Sequence, residues 1–302
     1  MEKSLMIKLS DIPENLRLML KRNYQTLLIS KAIKKFKTIE SLANEFNVNR
    51  STIYCWKREW WPMKIIYLKK LMKILNISSN EICDQIMGVK GESNVILFFK
   101  KKLPVEIPVE LIAHLQGDGS VKTRDGACNY TNQEYYLIRS FIKTFQKIFN
   151  TKINVYKTRR YTQVTLPAVV GKILTHKFDS FESKKFIIPN LKNEQNIKKY
   201  LIAIFDDEGS VVDNKKKRHR YISLRLRNMF ALKEIRKMLA RLGINSKIYE
   251  YKDELRISRF ENIVLFAKKV GFTHPLQEKK LRKLLKNYKL KPGELIEIYT
   301  KN

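Results

Sequence analysis

The chain has 302 residues, and 61 Lys and Arg against 29 Asp and Glu leave a formal net charge of +32 at pH 7. That length predicts two or three domains with a proper core, and the absence of an apolar run of about 18 residues or of a leader-like opening predicts a soluble, intracellular (cytoplasmic) protein. The basic excess points to a polyanion, most commonly the phosphate backbone of nucleic acid, and disfavours a membrane-surface role, since no segment joins a basic face to an exposed Trp, Phe and Leu face.

Residues 1–90 read as an all-α domain. Met1–Lys37 shows apolar residues at three and four spacing, the signature of a helix. In Thr38–Glu59 the apolar positions Leu42, Phe46, Val48, Ile53 and Trp56 predict two short helices joined by a tight turn at Phe46–Asn49. Asn47 holds the turn position, where asparagine tolerates the left-handed conformation. The spacing resembles a helix-turn-helix. In that reading the second helix presents Arg50, Ser51, Thr52, Tyr54 and Lys57, residue types that bond phosphates and base edges. Ser78 and Glu81 form a capping pattern for a later helix. Gly91, Pro104 and Pro108 mark residues 91–107 as a linker.

Two stretches then say the same thing. Leu111–Val121, LIAHLQGDGSV, recurs without a gap at Leu201–Val211 as LIAIFDDEGSV, with Asp118 and Glu208 90 positions apart. The period is that of a small duplicated domain, not a short solenoid repeat. Each copy reads as a helix that stops at an acid, followed by a glycine that supplies backbone freedom and then by a strand. Ala113 and Gly117 share one helical face and let a second helix approach. If the copies pack together, Asp118 and Glu208 meet at one end, and the usual relief for adjacent carboxylates is a divalent metal. Around these motifs residues 108–180 and 196–302 each read helix, two strands, helix, two strands, helix, with residues 181–195 connecting them and a basic helix closing the chain. Asp125–Gly126 predicts a hairpin turn. Cys55, Cys83 and Cys128 are too few and too scattered for a disulfide framework or a zinc site. The four histidines stand isolated in sequence and read as structural or phosphate-contacting.

At the two motifs the sequence resembles the LAGLIDADG homing endonuclease family, in its single-chain, two-motif form. The resemblance implies an α+β fold: two pseudo-symmetric αββαββα units whose antiparallel sheets form a DNA-binding saddle, here preceded by the helical domain. It implies that Asp118 and Glu208 bind Mg²⁺, that the backbone carbonyls of Gly117 and Asp207 add ligands, and that double-stranded DNA is hydrolysed in two staggered cuts. It further implies a monomer acting as a pseudo-dimer. The family places a basic or amide group near each centre, and Lys122, Lys215, Gln163 and Arg256 are the positional candidates. Groove contacts are expected from strand residues pointing away from the core, namely Lys122, Arg124, Asn129, Thr131, Lys157, Tyr161 and Gln163, then Arg225, Arg227, Lys247, Tyr249 and Arg256. The turn carrying Lys216 and Arg218 should grip the phosphate backbone. Gln116, His114 and Asp207 depart from the family pattern, though neither terminal acid is lost. The expected activity is a site-specific endonuclease of the homing type. The alternatives on the same scaffold are a non-cleaving transcriptional regulator or an RNA-splicing cofactor.

Overall fold

The structure, a computed structural model, describes residues 4–92, 95–214 and 219–288. In chain order the N-terminal region contains β1 (Met6–Ile7), β2 (Arg17–Leu20), α1 (Tyr24–Phe36), α2 (Ile39–Phe46), α3 (Arg50–Lys57), β3 (Met63–Lys64), α4 (Ile65–Leu75), α5 (Ser79–Cys83) and β4 (Ile86–Lys90). Strands β5 (Ile96–Phe98) and β6 (Val105–Glu106) come next, within the stretch expected to be linker.

This region is therefore not all-α, which corrects the expectation. β2, β3, β4 and β5 form a four-stranded sheet in the order β3-β2-β4-β5, and β1 pairs with β6. The reason is long-range pairing. Arg17–Leu20, RLML, is an apolar run with no strand signal of its own, and it becomes a strand because Leu18 lies opposite Val89 on β4 and Met63 on β3. Helices α2 and α3 are joined as predicted, with Asn47 left-handed at φ 52°. Thr38 caps α2 by accepting from the Ser41 N–H, and Ser78 caps α5 by accepting from the Glu81 N–H.

The N-terminal region is fixed to the rest of the chain at several points. Met6 pairs with Glu106 and Ile7 with Val105. Lys177 meets Asp11 at 2.7 Å, the Lys100 N–H donates to the Ile148 carbonyl at 2.7 Å, and the Phe99 and Phe149 rings lie 5.6 Å apart.

The duplicated units match the predicted order. The first runs α6 (Val109–Gln116), β7 (Gly119–Val121), β8 (Cys128–Asn132), α7 (Tyr135–Gln146), β9 (Asn154–Lys157), β10 (Thr162–Leu166) and α8 (Ala168–Phe178). The second runs α9 (Glu194–Glu208), β11 (Gly209–Asn214), β12 (His219–Arg225), α10 (Met229–Arg241), β13 (Lys247–Tyr249), β14 (Glu254–Ile257) and α11 (Phe260–Lys269), after which α12 (Pro275–Asn287) adds the closing helix. Their antiparallel sheets share one topology, β7-β8-β10-β9 and β11-β12-β14-β13. On β8 and β10, Cys128, Tyr130, Val164 and Leu166 are buried, while Asn129, Thr131, Gln163 and Thr165 alternate onto the opposite, half-open face, as a period of two requires. α7 backs the first sheet and α10 the second, and α6 packs directly against α9. Among the described residues no helix is long and apolar enough to cross a membrane.

Candidate active site

The motif helices pack because of what they carry. On α6 every residue from Leu111 to Gln116 is buried, as are Tyr200, Leu201, Ala203, Ile204 and Phe205 on α9. Gly117 ends α6, and a Cβ there would lie 2.8 Å from both Cβ and Oδ2 of Asp207. Asp207 thus fills the space that glycine leaves, which is why matched positions of the two copies hold residues so unequal in size. The glycines after the acids act differently from expectation. Neither Gly119 nor Gly209 has positive φ, and Gly209 sits at φ −87°, ψ 154°. They are needed for close approach, since a Cβ on Gly119 would stand 2.4 Å from the Leu115 Cα and one on Gly209 2.3 Å from the Phe205 carbonyl oxygen.

Buried polar groups fasten the interface. His114 Nδ1 lies 3.0 Å from Asp207 Oδ2, and the Tyr130 hydroxyl donates to Asp207 Oδ1 at 2.8 Å. Burial alone would lower the His114 pKa, but the Asp207 carboxylate, with Asp206 and Asp118 behind it, raises it overall. The residue two before the terminal acid of each motif is tied to chain outside its own helix. Gln116 accepts from the Tyr200 hydroxyl at 2.7 Å and donates from Nε2 to the Ile187 carbonyl at 3.0 Å. Asp206 accepts from the backbone N–H groups of Thr273 at 2.8 Å and His274 at 2.9 Å, and from the Thr273 hydroxyl. Glutamine suits the first position because it must donate as well as accept, which an ionised aspartate cannot do.

Asp118 and Glu208 emerge at the same end of the helix pair, each in its own cavity. That of Asp118, about 420 Å³, is lined also by Thr131, Asn132, Glu134, Tyr161, Asp206 and Asp207. That of Glu208, about 370 Å³, is lined by Gln116, Gly117, Arg225, Arg227 and Lys252 among others. Each cavity therefore joins the acid of one motif to the end of the other motif's helix. Asn132 Nδ2 donates to Asp118 Oδ2 at 2.8 Å and fixes its rotamer. Although Asp118 is exposed as a residue, partial burial of its carboxylate, then Asp207 and Glu208, raise its pKa from 3.8 to about 7 against the opposing pull of His114 and Asn132. Burial and then Asp207 also raise that of Glu208.

Such a set of carboxylates, with no Lys or Arg among the described residues lining the Asp118 cavity, fits a hard divalent ion with oxygen ligands. Among the described residues no group of three or more His, Cys, Asp or Glu could enclose a metal unaided.

The remaining sequence candidates are spread around this centre. Arg225 and Arg227 line the Glu208 cavity and Tyr161 the Asp118 cavity. Gln163 faces Thr131 across β10 and β8. Arg256 is held by Glu254, with Nη2 at 2.6 Å and Nε at 2.9 Å, and lies between the rings of Tyr221 and Tyr249 at 4.3 and 4.6 Å. Lys247 lies opposite it on β13. Lys122 and Arg124 are exposed in the turn after β7, Asn129 and Thr131 half-buried on β8, and Lys157 exposed on β9. Lys122 lies in neither cavity wall. In the N-terminal region Ser51, Tyr54 and Lys57 are exposed and Thr52 half-buried, while Arg50 pairs with Glu40 at 2.8 Å. Lys215, Lys216 and Arg218 lie outside the described residues. Sequence reasoning missed Asn132, Tyr130 and Lys252, and it read His114 as isolated because its partner is 93 positions away. The matched contrast of Gly117 with Asp207 was the available signal.

Comparison with known proteins finds that residues 195–271 match the family model of the LAGLIDADG-like domain. No curated protein matches. Among solved structures the chain resembles full-length DUF199/WhiA from Thermatoga maritima, at 17% identity and a TM-score of 0.43, covering 64% of this chain and 65%, less than two thirds, of that one. It also resembles the homing endonuclease I-WcaI bound to its DNA recognition sequence, at 17% and 0.42, covering 58% and 84%. I-DmoI in complex with DNA and Ca is similar at 15% and 0.38, covering 59% and 97%. Residues 195–271 thus match a LAGLIDADG-like domain, and the unit before it repeats the same helix, sheet order and terminal acid.

Proposed function

We propose that this protein is a site-specific DNA endonuclease of the homing type, which makes a staggered double-strand break by Mg²⁺-assisted phosphodiester hydrolysis. The observation that carries this reading is the pair of acids at the shared end of α6 and α9, each in its own cavity and each with raised proton affinity. Asp118 and Glu208 would hold the cation, with the carbonyls of Gly117 and Asp207 beside them. When bound, Mg²⁺ supplies Lewis acidity toward a phosphate oxygen and a lower pKa for the attacking water.

The chain's own residues supply position. Asn132 holds the Asp118 carboxylate in place, and His114 and Tyr130 hold the α9 end beside it. Arg225, Arg227 and Lys252 offer phosphate contacts at the Glu208 cavity, and Gln163, opposite the cavity residue Thr131, is the candidate for orienting water. Because one chain furnishes both acids, it acts as a monomeric pseudo-dimer on double-stranded DNA.

The test is incubation of the purified protein with Mg²⁺ and a randomised duplex library. Sequence-specific double-strand cuts are expected, and Asp118→Asn or Glu208→Gln should abolish them while leaving DNA binding intact. Failure of the wild type to cut any sequence overturns the proposal. A second reading, binding without cleavage, is favoured by the α2–α3 pair in the N-terminal region, and metal-independent binding to one sequence with no nicking would select it.

A further inference from the structure

Immediately after α3, Trp60 and Trp61 stand 64% and 51% exposed. Two adjacent indoles in water forgo much of the hydrophobic gain that such rings make when buried, and the cleavage centre gives them no task.

The turn that presents them is built. Gln25, buried in α1, donates from Nε2 to the carbonyls of Trp56 at 2.8 Å and Trp61 at 3.0 Å, and accepts the Met63 N–H at 3.1 Å. The Thr26 hydroxyl donates to the Lys57 carbonyl at 2.6 Å, and the Trp60 N–H donates to the Cys55 carbonyl at 3.0 Å. Glu59 is left-handed at φ 56°, a conformation uncommon outside glycine. Its carboxylate accepts the N–H groups of Asn23 at 3.1 Å and Thr26 at 3.3 Å at the start of α1. A strained residue and a buried amide thus hold the indoles outward.

Their surroundings are basic. Lys57, Arg58 and Lys64 are exposed, and the Arg58 guanidinium lies 4.9 Å from the Trp60 ring centre. Between Arg50 and Lys64 the one acid is Glu59, already engaged with backbone. Aromatic planes beside cations suit bases beside phosphates.

We infer that the Trp60–Trp61 turn is a duplex-DNA contact, in which the indoles wedge against base steps while Lys57, Arg58 and Lys64 hold the flanking phosphates. The inference takes its partner from the DNA reading above and does not depend on cleavage.

The sequence makes it testable, since its three tryptophans are Trp56, Trp60 and Trp61 and Trp56 is buried. Intrinsic fluorescence therefore reports on this turn, with Trp56 as an internal control for folding. In the full-length protein without divalent metal, saturating mixed-sequence duplex should reduce acrylamide quenching several-fold. The double variant W60A/W61A should keep its Trp56 emission and bind the duplex about tenfold more weakly. Its salt dependence should be unchanged, because stacking releases no counterions. Indoles as quenchable with duplex as without, an affinity within about twofold of wild type, protection by single strands alone, or no duplex binding at all would each overturn the inference. Duplex protection in a protein that cuts nothing would uphold it while refuting the endonuclease.

Discussion

A buried carboxylate needs partners, and Asp207 has two, His114 and Tyr130. Because its side chain has no exposed surface, removing the imidazole leaves a charge without its counter-ion. His114→Ala is expected to cost about 3–5 kcal/mol in urea unfolding. The raised His114 pKa means that the pair's stabilisation is fully present below the unfolded histidine value and is lost as pH rises through the folded one. The gap between wild type and variant should therefore narrow with increasing pH. Asp118 behaves oppositely to a salt-bridged aspartate. Its pKa rises to about 7 on folding, so the native state holds its proton longer and stability should fall as pH climbs from about 4 to about 7. Asp118→Asn should flatten that slope. Adding Mg²⁺ at alkaline pH should raise Tm in the wild type and not in the variant, a readout independent of cleavage. Asp118 and Glu208 are legible in sequence because the motif repeats in frame. Asn132 is not, because nothing in a strand pattern says that one amide will point at an acid 14 positions earlier.

At the scale of elements, the helix-to-strand junctions are the most constrained places in either unit. Gly209→Ala puts a methyl group against the Phe205 carbonyl, a backbone atom that cannot swing aside. The expected cost is about 1–3 kcal/mol, seen as a lower Tm, with displacement of the neighbouring Glu208 reducing cleavage further. Asn47 makes a milder case. It is left-handed between α2 and α3, so Asn47→Ala should lose about 1 kcal/mol and Asn47→Gly much less. The elements around the motifs were readable because local periodicity and turn chemistry agree there, and α8 (Ala168–Phe178) closes the first unit as the predicted element order requires. The N-terminal strands were not. RLML and IMGVK carry no alternation that separates strand from helix, and their identity comes from each other across the intervening helices.

For the whole molecule, the pseudo-symmetry is one of backbone more than of charge. The Glu208 cavity carries Arg225, Arg227 and Lys252, whereas the lining of the Asp118 cavity includes Glu134, Asp206 and Asp207 and, among the described residues, neither Lys nor Arg. A phosphate should settle more readily at the first than at the second. Single-turnover cleavage of a supercoiled target is thus expected to pass through a nicked circle cut mainly on the strand that meets Glu208. Replacing Arg227 by Ala should narrow the difference between the two strands by slowing that first cut, while equal rates in the wild type would show that the imbalance has no kinetic effect.

The attachment of the N-terminal region carries a consequence of another kind. The β1–β6 pairing ties that region to the strand just before α6, and the Lys177–Asp11 ion pair and the Phe99–Phe149 contact tie the chain up to β6 to the first unit, so its distance from the helix pair is set. If the α2–α3 pair reads DNA, as the second reading proposed above has it, a module held in this way works as a ruler. DNA turns once in about 10–10.5 base pairs, so inserting half a turn between the outlying footprint and the cut site would carry the outer sequence to the far side of the duplex. A flexible tether would forgive the insertion; this mount should not, and footprints on targets of stepped spacing would measure its stiffness directly.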